Sequence, residues 1–425
     1  MKLHTKILLG LILGAAAGGG LHALFPDAAW VIWIGDNIAN PVGQIFLRLL
    51  FLTVIPIVFL SLTLGVAGIG DVRKLGRLGG RTMMYFALST GISAVIGLTL
   101  VNVLNPGGGV PEATRDALMQ TYATQAEAMQ AGGPPDFGIS TFVNIVPRNP
   151  VAAAANMDML AIIFFSLILG AALTLIPRER AEPVIKVFEG LGEAVIKIID
   201  FAMRLAPYGV FGLIFTMTSR FGWGLLQQLG LYFVVVVLGL TIHATVGISA
   251  LVRIFGGISP LTFWRGAGNS MITAFSTSSS MATLPTNIAS AEKFFGVSPR
   301  IAGFVLPLGA TMNMNGTALF EGVTVLFLAQ VFGVHLALGV QVIVIVLSVL
   351  TAIGAAGVPG GSLPLMMVIL GTVGVPPEGI AIILGVDRIL DMCRTTLNVA
   401  GDLSASLYVE RVDRGEPVVP LAEAA

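Results

Sequence analysis

Charge is what this sequence has least of. Only 11% of its 425 residues are Asp, Glu, Lys or Arg, where a soluble globular domain carries about 25%. Hydrophobic residues make up 55%, and the mean hydropathy is +0.91. So few charges do not cover a soluble surface, and the composition points to a membrane protein. The charges that remain cancel, 23 basic against 23 acidic, so no basic field points to nucleic acid. Cysteine is nearly absent too. Cys393 stands alone, which excludes an internal disulfide and any multi-cysteine metal site. The four histidines, His4, His22, His243 and His335, are far apart and read as structural residues rather than ligands.

Long apolar runs are what the chain has instead. Lys2, His4 and Lys6 precede the first, and the small residues at 15–20 resemble a leader cleavage site. The apolar stretch continues to Phe25, however, which is long enough to span and reads as a first membrane helix. Further runs of the required length lie at 42–66, 82–104, 154–176, 194–216 and 226–252. The connection at 26–40 has Asp27 and Asp36 but no Lys or Arg, whereas the next has Arg73, Lys74, Arg77 and Arg81. The stretch 105–150 has only Arg115 and Arg148, and the connection after it has Arg178, Arg180 and Lys186. Basic residues therefore alternate from side to side, which predicts cytoplasmic termini and an outside loop over 105–150.

The pattern changes after Phe255. The segment 257–289 is polar in its middle, at Ser276, Thr277, Ser278, Ser279 and Ser280. The stretch 297–331 is broken by Asn313, Asn315 and Gly316, and 336–373 is broken at 354–362. Irregular backbone at membrane depth survives only where protein or a water-filled cavity satisfies it, and paired interruptions mark transporter binding sites. The order broken segment, polar helix, broken segment, polar helix is a candidate internal repeat, read from hydropathy alone.

The last segment, 379–409, carries Asp387, Asp391, Arg394, Thr395, Asn398 and Asp402. At about 100° per residue these fall within a sector of roughly 100°. Ile389, Met392, Leu397 and Val399 lie opposite. Each ion at membrane depth costs about 2.5–3.5 kcal/mol on insertion scales, so the stripe must face a cavity, ions or partner groups. The structural alternative is internal neutralisation, with Asp391 and Arg394 paired at i and i+3. The chemistry available suits a zwitterion with an acidic side chain. Asp391 can hold an ammonium and Arg394 a carboxylate. Asp402 and Asn398 offer the hard oxygens that a small cation prefers.

These residues, with SSSMATLP at 278–285, NMNGTAL at 313–319, GVPGG at 357–361 and DRILDMCRTTLNVAGD at 387–402, resemble the dicarboxylate/amino acid:cation symporters, the glutamate and aspartate transporters among them. Weaker matches at 48–60, with Pro56, and 145–150 extend the likeness over nearly the whole chain. The resemblance implies an all-α polytopic fold of eight membrane helices and two re-entrant hairpins with inverted repeats. It implies a homotrimer in a bacterial inner membrane, surrounded by lipid. Helices 1, 2, 4 and 5, over about 1–70 and 105–220, would form a scaffold. Helices 3, 6, 7 and 8 with the hairpins, over about 78–104 and 224–410, would move as an elevator gated at 354–362.

The resemblance also implies site residues. Asp391 would bind the substrate amino group and Arg394 its side-chain carboxylate. Thr395, Asn398 and Thr317 would add contacts, with Ser279, Ser280 and Val358 from the hairpin tips. One sodium set would use Gly309, Asn313, Asn398 and Asp402. A second would use carbonyls of Thr311, Ala352, Ile353 and Ala355 with Met314 nearby, and a third would use Ser89, Thr90, Asn313 and Asn315. Sodium is the expected coupling ion, with a proton as the alternative, and no other cofactor is implied. Three departures stand out. Asn315 occupies a place where the family commonly has aspartate, Phe86 one where tyrosine is common, and Ser278 and Met392 places where one or the other is usually arginine. Arg388 either supplies that charge or faces elsewhere.

The expected function is uptake of glutamate or aspartate. A C4-dicarboxylate carrier explains Arg394 equally well but leaves Asp391 without a role. An anion channel is a further alternative. An enzyme is not expected, since no His or Lys lies near Ser276–Ser280 in sequence to activate a nucleophile.

Overall fold

The computed structural model describes residues 3–25, 28–67, 72–112, 115–116, 146–156, 158–354 and 360–415. Among these, every regular element is a helix. A helix satisfies its backbone hydrogen bonds within one segment, which is what a lipid environment demands. Helix α1 (Leu3–Leu24) is followed by short α2 (Ala29–Ile34), which passes through a π-turn at Gly35–Ala39 into α3 (Asn40–Ala67). Then come α4 (Val72–Leu104), α5 (Pro150–Ala155), α6 (Met159–Leu175), α7 (Arg178–Phe221) and α8 (Gly224–Ile242), whose helical path continues to Gly256. The second part holds α9 (Pro260–Thr277), α10 (Ser280–Ala289), α11 (Pro299–Met312), α12 (Asn315–Phe332), α13 (Leu338–Gly354), α14 (Ser362–Thr372) and α15 (Leu384–Arg414).

Six stretches among the described residues are long and apolar enough to cross a membrane: Thr5–Leu24, Ala29–Ala67, Leu78–Leu104, Arg178–Arg220, Leu226–Gly256 and Pro299–Phe332. Apolar stretches in α6, α13 and α14 are shorter. Helix α7 begins at Arg178, well before the expected start at 194, and α4 begins at Val72 rather than 82. A hydropathy window sees only apolar residues, but a helix continues wherever side chains pair along its surface. In α7, Glu182 lies 3.0 Å from Lys186 and 3.9 Å from Arg178 at i,i+4 spacing.

Helix α7 packs against α1 and α3, and α3 against α6. Helix α4 packs against α12, α8 and α13, while α15 packs against α9, α11 and α12. Pro299–Phe332 lies at the centre, 94% of its most apolar window being buried, against 33% for α1. Both interruptions in this region have a local cause. After α9, Ser278 adopts a left-handed conformation (φ 50°) and Ser279 is extended, its hydroxyl accepting from Ala282 N at 3.1 Å to cap α10. The chain turns there, and α9 and α10 pack on one another as a hairpin. Between α11 and α12, Asn313 (φ −113°, ψ 71°) and Met314 (φ −101°, ψ 62°) leave the helical region before the helix resumes at Asn315.

Candidate functional site

The polar stripe of α15 turns inward. Asp387, Asp391, Arg394, Thr395, Asn398 and Asp402 are all buried, while Ile389 and Met392 are half-buried. Leu397 and Val399 on the opposite face are buried as well, so the helix is enclosed over much of its length and its polar groups have their partners inside the protein. Arg394 Nη1 donates to Asp387 Oδ1 at 3.0 Å, and its Nε donates to Asp391 Oδ1 at 3.1 Å. Its guanidinium carbon sits 4.1 Å from the centre of the Phe320 ring. The internal pairing of Asp391 with Arg394 that the i,i+3 spacing allowed is therefore formed. Arg388, left open by the sequence, faces the site: Nη1 donates to Asp391 Oδ2 at 3.1 Å. The same oxygen accepts from Gly360 N at 3.2 Å, which ties the edge of the second broken segment to α15.

The break at 313–314 brings the N-terminus of α12 onto α15. Asn398 Oδ1 accepts from Gly316 N at 2.7 Å and from Thr317 N at 3.4 Å, two amides of the kind a helix start leaves without intrahelical partners. Asn398 Nδ2 donates to Thr317 Oγ1 at 3.2 Å. A Cβ at Gly316 would overlap the backbone carbonyl of Arg394, so only glycine permits this approach. Thr395 Oγ1 donates to Asp391 O in its own helix at 2.7 Å. On the first hairpin, Ser279 and Ser280 are buried at the tip, and Asn287 Nδ2 donates to Val399 O of α15 at 3.4 Å.

Of the first expected cation set, Gly309, Asn313 and Asp402 lie together, while Asn398 bonds to Gly316 and Thr317. Asp402 Oδ1 accepts from Asn313 Nδ2 at 3.0 Å, and a Cβ on Gly309 would meet that same carboxylate oxygen. Asn313 Oδ1 is buried with no hydrogen-bond partner, a free hard acceptor beside a carboxylate. Of the second set, Thr311 and Ala352 lie on α11 and α13, which pack together. Ile353 lies near the end of α13. Ala355, and Val358 of the substrate set, fall outside the described residues. In the third set, Ser89, Thr90 and Asn315 are joined by hydrogen bonds, while Asn313 turns to Asp402. Thr90 Oγ1 donates to Asn315 Oδ1 at 2.9 Å, Asn315 Nδ2 donates to Ser89 Oγ at 2.7 Å, and Ser93 Oγ donates to Asn315 O at 2.7 Å. Phe86 is buried in the same helix as Ser89 and Thr90. The hydroxyl of its neighbour Tyr85 donates to Ser404.

One residue at the centre was missed by the sequence reading. Glu321, on α12 one turn beyond Thr317, is fully buried, with Oε2 accepting from Thr351 Oγ1 at 2.7 Å and Oε1 without a hydrogen-bond partner. Its signal was present: an ionisable residue inside a membrane-length apolar stretch is functional by default.

Comparison with known sequences agrees with this geometry. The chain matches the sodium:dicarboxylate symporter family over residues 3–412. It is 37% identical over 416 residues to the proton/glutamate-aspartate symporter of Escherichia coli (strain K12), covering 96% of this chain and 92% of that protein. It is 38% identical over 415 residues to the proton/sodium-glutamate symport protein of Bacillus subtilis (strain 168), covering 96% and 92%. It is 30% identical over 425 residues to the C4-dicarboxylate transport protein of Rhizobium leguminosarum, covering 99% and 92%. With a match from end to end and the stripe, break and hairpin assembled in one place, the chain belongs to the sodium:dicarboxylate symporter family, and is a membrane transporter rather than an enzyme.

Proposed function

We propose that the protein is a cation-coupled symporter that takes up acidic amino acids, glutamate or aspartate, across a bacterial inner membrane. The observation that carries this reading is a carboxylate and a guanidinium, Asp391 and Arg394, buried side by side at the break between α11 and α12. Without substrate these two neutralise one another. Substrate binding is then an exchange: its ammonium takes Asp391, its side-chain carboxylate takes Arg394, and the internal pair opens. Asn398, Thr317 and Thr395 would add contacts to the substrate, with Ser279 and Ser280 from the first hairpin, and Val358, outside the described residues, from the second. An exchange of this kind hands each of these two buried charges directly to a substrate group of opposite sign. The glutamate and aspartate symporters among the relatives support this substrate class.

Sodium fits the set of Gly309, Asn313, Asn398 and Asp402, where Asn313 Oδ1 is free to accept. The carbonyls of Thr311, Ala352 and Ile353, with Ala355 outside the described residues, would supply the second sodium set. The third set, Ser89, Thr90, Asn313 and Asn315, is the weakest of the three, because the amide at 315 brings no negative charge and its Oδ1 and Nδ2 are engaged with Thr90 and Ser89. A proton is a second coupling ion on a specific observation: Glu321 is a fully buried carboxyl with one oxygen unpartnered, facing Thr351 of α13. Helices α1, α3, α6 and α7 form the scaffold of a homotrimer, the remaining long helices and hairpins move as an elevator gated at 354–362, and both termini are cytoplasmic.

The test is uptake of labelled aspartate and glutamate into liposomes under imposed sodium or proton gradients. Accumulation is expected with an inward sodium gradient and is expected to vanish when it is collapsed. A contribution from an inward proton gradient is expected to disappear in Glu321→Gln. Uptake indifferent to both gradients would overturn cation coupling.

A further inference from the structure

One charge at membrane depth lies far from the exchange just described. Arg48 is the only ionisable residue between 42 and 66, the apolar stretch of α3. It stands eight residues after Asn40, about 12 Å along the helix. Its side chain is exposed, in a row with Ile45 and Leu52, which are 56% and 62% exposed. Among the described residues it has no ion pair and no hydrogen bond. An ion at this depth is costly unless a partner meets it.

A polar ladder leads to Arg48. Asn40, Gln44 and Arg48 follow at steps of four, on one side of α3. Gln44 Nε2 donates to Asn40 Oδ1 at 3.4 Å. Above them on α2, Trp30 and Trp33 are exposed, and such rings favour the membrane–water boundary. The ladder therefore starts near the headgroups, and Arg48 ends it about two turns inside. An arginine so placed lays its stem along apolar neighbours and raises its guanidinium towards the boundary. The guanidinium fork fits a phosphate with two hydrogen bonds.

A second copy of the chain offers no free carboxylate at this depth. Copies related by an axis normal to the membrane meet at equal depths. Gly209 packs on Phe46 and Gly43 on Leu213, so Arg48 lies level with the part of α7 just before Gly209. The exposed charge there is Arg204, of the same sign. The described scaffold acids nearest that depth are engaged. Asp36 pairs with Arg220, Asp200 with Lys197 at 3.2 Å, and Asp158 accepts from Ala161 N at 3.3 Å.

We infer that Arg48, with Gln44, binds the headgroup phosphate of an anionic phospholipid, and that this lipid holds α3 at its depth. Helices α13 and α14 rest on α3, so the bound lipid steadies the wall behind the second broken segment.

Purified full-length protein is stripped of lipid in detergent and titrated with phosphatidylglycerol or phosphatidylcholine. Native mass spectrometry counts bound lipid and reads the oligomer in the same spectra. Native protein is expected to prefer phosphatidylglycerol. Arg48→Gln is expected to lose about tenfold in affinity for it, as for one charge-assisted hydrogen bond, with the oligomer intact. Arg48→Lys is expected to fall between the two, and Arg204→Gln to bind as the native protein does. In vesicles, adding phosphatidylglycerol to phosphatidylcholine is expected to raise the maximal rate of aspartate uptake by native protein but not by Arg48→Gln, with KM unchanged in both. Equal phosphatidylglycerol affinity in native protein and Arg48→Gln would overturn the inference. So would an equal loss in Arg204→Gln, which marks a general basic surface, or dissociation of Arg48→Gln with lipid affinity unchanged, which gives Arg48 to a second copy. The lipid titration reads this site without substrate, so its outcome is independent of the acidic amino acid reading.

Discussion

Arg394 has the most demanding position in the molecule. Two aspartates and an aromatic face compensate its buried charge, so its removal leaves Asp387 without a strong partner. Arg394→Ala is expected to reduce aspartate and glutamate uptake by about two orders of magnitude or more. Stability is expected to fall by about 3–5 kcal/mol, the usual consequence of breaking a buried pair from one side. Transport assays and thermal unfolding in detergent measure the two effects separately. Arg394→Lys keeps the charge but not the forked geometry, and is expected to recover stability more than uptake. Asn315 gives a test in the opposite direction. Asn315→Asp replaces the amide donor to Ser89 with an anionic acceptor, and is expected to make uptake depend more steeply on sodium, read from initial rates against sodium concentration. Most of this cluster was visible in sequence, because the spacing of Asp387, Asp391, Arg394, Asn398 and Asp402 fixes them on one helix face. The partner of Arg388 was left open, because its i,i+3 spacing to Asp391 permits a pair but does not require one when Arg394 stands at the same spacing on the other side.

The helices were legible where one residue type dominates and illegible where pairing across distance decides. Apolar length located α1, α3, α6 and α8 to within a few residues. The start of α7 at Arg178 escaped, since ion pairs along a surface helix leave no hydropathy signal. The two breaks were legible as polar interruptions, but not why they are tolerated. That depends on contacts such as Asn398 with the amides of Gly316 and Thr317, between residues 82 and 81 positions apart. The close approach of α12 to α15 at Gly316 gives a prediction at this level. A Cβ there meets the backbone of Arg394 rather than a movable side-chain end, so one helix must shift. Gly316→Ala is expected to lower stability by about 1–3 kcal/mol and to weaken aspartate binding through displaced Thr317 and Asn398. Melting temperature with and without aspartate would register both.

An elevator requires α15 to slide past α1 and α7, and the geometry offers a direct way to stop it. A Cβ at Gly385 of α15 would lie 3.4 Å from Leu11 Cβ of α1, close to disulfide range. With Cys393→Ser as background, Leu11→Cys with Gly385→Cys is expected to cross-link on oxidation. Aspartate binding should persist while uptake falls to background, and reduction should restore it; uptake that survives complete cross-linking rules out sliding at this contact. The amide at Asn315 has a consequence for the protein's concentrating power. Each monovalent cation that accompanies substrate inward draws about 2.3 kcal/mol from every 100 mV of membrane potential. Were Asn315→Asp to add one cation per turnover at the third set, the steepest substrate gradient the protein sustains is expected to rise by about fiftyfold per 100 mV.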